Sequence, residues 1–311
     1  MHMWKYGVAG VALVSVGCGE AEESLMDEGP QPAPVVTPSG TCPDLSAPGR
    51  KTMMSAGQER DLAVYFPKDR PAGMPVLFAW HGISDTSLDP IEQMTTGFGL
   101  DDLAEQRGAV IVVPQAFPVS ILGLNIALFS ILNDGDADLA LFDDMRACLK
   151  TELDVDLTRV SSWGHSGGGL FTSRLVFDRS DTLAAAVPAS AGSDITIPLA
   201  GERLEYTTPA HRVPTLLITG GEDDVWPDGM AIIDFEDATD SMQDGLVNDG
   251  HFVARCRHDL GHLTLPSWYW PLVLDWAFEH EFGRPSPIAA DPTLLPAACD
   301  VVGPEMLTDD G

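Results

Sequence analysis

Six short runs, PVLFAW (75–80), AVIVVP (109–114), RVSSW (159–163), LAAAVPAS (183–190), PTLLITG (214–220) and HFVARC (251–256), recur along the chain, each bounded by Gly, Pro or polar residues. They are rich in aliphatic and β-branched residues and too short for helices, so they read as strands buried on both faces. Between them lie helical patterns at 100–108, 138–153, 168–179, around 233–249, and 266–282. Strand and helix alternating in this way predict an α/β fold: an open, mostly parallel sheet with helices on both faces. Upstream, KTMMSAG and DLAVYFP, with GQER between them, predict an antiparallel pair at the sheet's start.

A chain of 311 residues, 44% of them hydrophobic, can bury one large core. Residues 46–283 are expected to form that domain. Residues 1–18 have a signal-peptide shape, with Lys5 before an uncharged run from Gly7 to Gly17. VSVGC ends it in the manner of a bacterial lipobox, with Ser15 where leucine is usual, so Cys18 is a candidate for lipidation and a membrane tether. Residues 19–45, acidic and then proline-rich, predict an extended linker, and 284–311 a tail that packs only where Cys299 pins it. Export would leave Cys42, Cys148, Cys256 and Cys299 in an oxidising compartment, where two disulfides can form; the sequence does not choose among the three pairings. Seventeen basic against 47 acidic residues give a net charge of −30, which repels phosphate backbones and excludes nucleic acid as a partner.

In an open parallel sheet, ligands bind beyond the carboxyl ends of the strands, so the residues that follow each strand carry the chemistry. After RVSSW comes Gly164-His165-Ser166-Gly167-Gly168, a G-x-S-x-G turn between a strand and a helix. A serine hydroxyl needs a base, and a histidine base needs an acid to fix its tautomer, in the order Ser, Asp or Glu, His. After PTLLITG, the run Gly221-Glu222-Asp223-Asp224 places carboxylates at the correct edge; Asp223 is the first choice and Asp224 the alternative. Among eight histidines, chain order removes those before the acid, and position removes His251, which opens a strand, and His280, near the end of the last helix; His258 and His262 remain, and Gly261 with the following LTLP suits His262 to an exposed loop tip. A metal reading of HDLGH lacks the HExxH glutamate and a stable helix. Backbone donors for an oxyanion would be the amide of Gly167 and that of Ile83, with Gly82 second, while His81 is expected to be a structural hydrogen-bonding group.

AWHGIS, WGHSGGG, TGGEDDVWP and DLGHLTLP together resemble the α/β-hydrolase superfamily over about residues 50–282, in particular the secreted polyhydroxybutyrate depolymerase and feruloyl or acetylxylan esterase group. The resemblance implies an eight-stranded sheet whose first strands are antiparallel. The group's acid-loop aspartate matches Asp223 and its proline Pro227, with Thr219 where the group has histidine; its Gly-His motif matches Gly261-His262. It implies an exported serine hydrolase of carboxylic esters that needs no cofactor or metal, with Ser166 as nucleophile. A peptidase or thioesterase, or a non-catalytic surface lipoprotein, are the alternatives. Residues 117–132, FPVSILGLNIALFSIL, carry no charge, and either an apolar lid beside Ser166 or a buried helix would explain them.

Overall fold

The structure is a computed structural model that describes residues 29–121, 124–131, 137–197, 202–227 and 232–303. The signal-like segment and Cys18 lie outside these residues.

Nine strands form the main sheet: β1 (Gly49–Ser55), β2 (Gln58–Tyr65), β3 (Val76–Trp80), β4 (Val110–Pro114), β5 (Val160–His165), β6 (Ala185–Ala189), β7 (Thr215–Thr219), β8 (Val253–Arg257) and β9 (Cys299–Val301). Their spatial order is β1-β2-β4-β3-β5-β6-β7-β8-β9. The run from β4 through β8 is parallel, while β1, β2 and β9 are antiparallel to their neighbours. The hairpin joining β1 to β2 turns at Ala56 and Gly57, both with positive φ, so Gln58 already belongs to β2.

Alternation along each strand sorts side chains to the two faces. Val76, Phe78 and Trp80 pack on one side with Phe142 and Met145 of α3 (Ala137–Leu153), Phe171 of α4 (Gly167–Asp178) and Met242 of α5 (Phe235–Asn248). Leu77 and Ala79 pack on the other with Ile91 of α1 (Pro90–Phe98), Leu103 of α2 (Leu100–Arg107) and Trp276 of α6 (Tyr269–Glu279). Period-two strands sandwiched by helices are what short, wholly apolar runs require. Helix α1 was not among the expected elements, although its start is legible: Asp89 caps it by accepting the Glu92 amide at 3.0 Å, and Pro90 follows in the first turn.

Both flanks pack more closely than their composition predicts. Residues 33–45 lie against α3, where Ser39 donates from its amide and hydroxyl to Asp144, and Cys42 is bonded to Cys148. At the other end, Cys299 pairs across from Cys256 in the sheet and is disulfide-bonded to it, which makes β9 an edge strand. Before it, Ser286 bonds His280 and Ile288 is buried. The apolar stretch contains no helix among its described residues. Pro118–Ile121 and Leu124–Ala127 form a β-hairpin that pairs with Ser84–Asp85, after which Leu128, Phe129 and Ile131 enter the core.

Candidate active site

Strand β5 ends at His165, and Ser166 stands at the N-cap of α4 with φ 58° and ψ −125°, a sparsely populated backbone conformation for a residue with a Cβ. Neighbouring bonds hold it there: its amide donates to Ala189 O at 3.0 Å and its carbonyl accepts from Leu170 N at 2.9 Å. The surrounding glycines are steric necessities. A Cβ on Gly168 would stand 2.1 Å from Trp80 O, and one on Gly164 would stand 2.2 Å from Gly168 O. The turn therefore packs backbone on backbone and leaves the serine at a helix N-terminus.

His262 reaches Ser166 from the loop after β8. Its Nε2 lies 3.0 Å from Ser166 Oγ, and its Nδ1 lies 2.7 Å from Asp224 Oδ1. The two loops are bonded to each other: His258 N donates to Thr219 O at 2.9 Å and Gly261 N to Gly220 O at 3.0 Å. Positive φ at Gly221 and Gly261 allows these close approaches.

The acid next to His262 is Asp224, not Asp223. The turn from Gly221 closes with Asp224 N donating to Gly221 O at 2.9 Å, so Asp223 sits at its exposed corner while Asp224 is directed inward, with no exposed surface. Asp224 Oδ2 accepts from Ser190 Oγ at 2.8 Å and from Gly220 N at 2.7 Å. Burial pushes the carboxyl's pKa up, but the bonds from His262, Gly220 and Ser190 outweigh it, and the net shift is downward. Asp224 is thus held as a carboxylate, the form that accepts a proton-bearing Nδ1.

The Ile83 amide nitrogen stands 3.0 Å from where a Cβ on Gly167 would lie, and a Cβ on Gly82 would lie 3.4 Å from that of Ser166. The loop after β3 therefore brings Ile83 beside Gly167, whose own amide belongs to the unpartnered first turn of α4. His81 steadies this loop: its Nδ1–H donates to Gly82 O at 2.6 Å, while its Nε2 accepts from Ala116 N at 3.0 Å. Leu128 Cδ1 and Ile83 Cγ1 also lie 3.0 Å from that Gly167 position, so side chains from the segment after the hairpin and from the loop after β3 wall the site.

Two residues near the site carried no signal in the sequence. Ser190 follows β6 with φ 43° and holds the acid. Phe235, the first residue of α5, stacks on the His262 ring at 4.6 Å with 5° between planes. His258, the rival histidine, packs near Trp268, and its Nδ1 accepts the Leu260 amide at 3.3 Å.

The native crystal structure of pOPH superposes on this chain with a TM-score of 0.66, covering 87% of it and 98% of that chain at 20% identity. The fold is that of the α/β-hydrolases. A ferulic acid esterase structure shares this α/β-hydrolase core at a TM-score of 0.54, covering 74% of this chain and 96% of its own at 15% identity. In sequence, a bifunctional acetylxylan esterase/xylanase of Neocallimastix patriciarum is 28% identical over 170 residues, a match that covers 54% of this chain and 22% of that protein. No protein-family model matches the chain.

Proposed function

We propose that this α/β-hydrolase is an exported serine esterase that cleaves carboxylic esters through an acyl-enzyme. The observation that carries the reading is the hydrogen-bonded line from Ser166 Oγ through His262 to Asp224. In that line His262 Nε2 takes the hydroxyl proton as Oγ attacks the ester carbonyl, and Asp224 stabilises the imidazolium that forms. The carbonyl oxygen becomes an oxyanion held by the amides of Ile83 and Gly167, each worth about 3 kcal/mol of barrier. On collapse, His262 returns the proton to the departing alcohol. Water, deprotonated by the same nitrogen, then releases the acid and restores Ser166.

Leu128 and Ile83 against the oxyanion site favour an aliphatic acyl group. The acetylxylan esterase relative favours a second substrate reading, an acetylated polysaccharide. Two disulfides support export to an oxidising compartment, and a lipid anchor at Cys18 would tether the enzyme to the membrane. A fluorophosphonate probe, followed by a panel of short and medium acyl esters, feruloyl esters, acetylated xylan and polyhydroxybutyrate, tests activity and substrate together. The expected result is labelling abolished in Ser166→Ala and highest kcat/KM on aliphatic esters. Unlabelled, folded wild type would exclude the enzyme, and preference for acetylated xylan would exclude the aliphatic reading.

A further inference from the structure

We infer that Phe235 is a positioning residue for His262, and that its ring both fixes the imidazole plane and favours the protonated state through which the reaction passes. This rests on the esterase reading above.

The geometry is specific. Phe235 is 1% exposed, stacked within 5° of parallel on His262, and its own amide donates to Asp224 O at 2.9 Å. One residue is thus tied to the acid through its backbone and to the base through its ring. An imidazole hydrogen-bonded at both nitrogens can still rotate about the Asp224–Ser166 line, and a flat face against its plane opposes that rotation. The ring's negative face also attracts a cation. It therefore stabilises imidazolium relative to imidazole.

Apart from Asp224, whose carboxylate also stabilises the imidazolium, the groups near His262 do not supply this effect. His165 lies with its ring 5.0 Å from that of His262, and burial holds its pKa down at about 4, so it brings no charge near neutrality. Its Nε2 is buried without a hydrogen-bond partner. His258 and Asp259 belong to the same loop as His262, and Asp223 to the acid loop. Glu236 follows Phe235 but is paired with Arg255 and Arg257. Among the described residues, Asp224 is the one carboxylate bonded to the ring.

The test is Phe235→Leu, which removes the ring but keeps apolar volume, with Phe235→Met as the second variant should the first not fold. The His262 pKa is read by 15N NMR on histidine-labelled protein, with the resonance identified by its loss in His262→Gln. It is expected to fall by roughly half to one pH unit, because a cation–π contact is lost. The acidic limb of kcat/KM should move down with it, kcat should drop about tenfold, and Phe235→Tyr should restore both. A folded variant with the wild-type His262 pKa and kcat overturns the assignment. The NMR shift decides the ring's role by itself, whereas a folded wild type without hydrolysis counts against the esterase reading.

Discussion

Asp224 and His262 meet at 2.7 Å in a setting where the carboxylate has no exposed surface, while Asp223, one residue earlier, faces solvent. The consequence is a sharp asymmetry between neighbours. Asp224→Asn should lower kcat/KM by about 10³-fold or more, since an amide cannot hold the histidine in the tautomer that accepts the serine proton. Asp223→Asn should stay within a few-fold of wild type. Steady-state kinetics on a p-nitrophenyl ester separates them, and a reversed order would move the acid to Asp223.

Ser190 should matter through Asp224. Ser190→Ala removes one of the two bonds to Oδ2 and leaves that oxygen partly unsatisfied in a buried site, at a cost of about 1–3 kcal/mol. A loss of roughly tenfold in kcat with little change in KM is expected from the same assay. An unchanged rate would mean that Gly220 and His262 suffice to hold the acid.

The proposed acyl wall can be tested by chain-length preference. Leu128→Ala opens space beside Gly167, so the ratio of kcat/KM for octanoyl to acetyl esters should rise by about tenfold or more, each added methylene in an apolar pocket being worth about 1–3 kcal/mol. A flat ratio across the ester series would place the acyl chain elsewhere.

The fold was legible because strands buried on both faces announce themselves as short apolar runs, and Ser166 and His262 because chain order and strand ends restrict where they can lie. The choice between Asp223 and Asp224 turned on which residue leaves a tight turn pointing inward, a matter of loop dihedrals that residue type does not encode. Ser190 and Phe235 reach the site through tertiary contact alone. At the flanks the cysteines were legible as anchors and their partners were not: Cys42 is bonded to Cys148 and Cys299 to Cys256, and Ser39 finds a partner in Asp144 through tertiary contact that Pro- and Asp-rich composition does not encode. In the stretch 117–132, period could not separate helix from hairpin, because nearly every position is apolar.

Stability should fall on the acid side of neutrality. His81 uses one ring nitrogen as an acceptor, from the Ala116 amide, so its protonation would set donor against donor, while protonation of His280 would force the Ser286 hydroxyl to turn from donor to acceptor and would bury a charge. Burial holds both at about 4, against 6.5 for a free ring. Between those values the unfolded chain binds protons that the native state refuses, so stability is intact above about pH 6.5 and is lost as pH falls toward 4. The gap corresponds to about 3 kcal/mol for each ring at the acid end. Urea unfolding at pH 7.5 and pH 4.5 should show the drop, and His280→Gln should lessen it. Equal midpoints at the two pH values would contradict the neutral assignment.

The most direct test of the account is the covalent state of Ser166 during turnover. Rapid quench of the wild-type enzyme with a p-nitrophenyl ester, followed by peptide mass spectrometry, should show a stoichiometric p-nitrophenolate burst and an acyl group on the peptide carrying Ser166; both should vanish in Ser166→Ala. A folded wild-type enzyme that hydrolyses the ester without acylating Ser166, or a Ser166→Ala variant that turns over as fast as wild type, would contradict it.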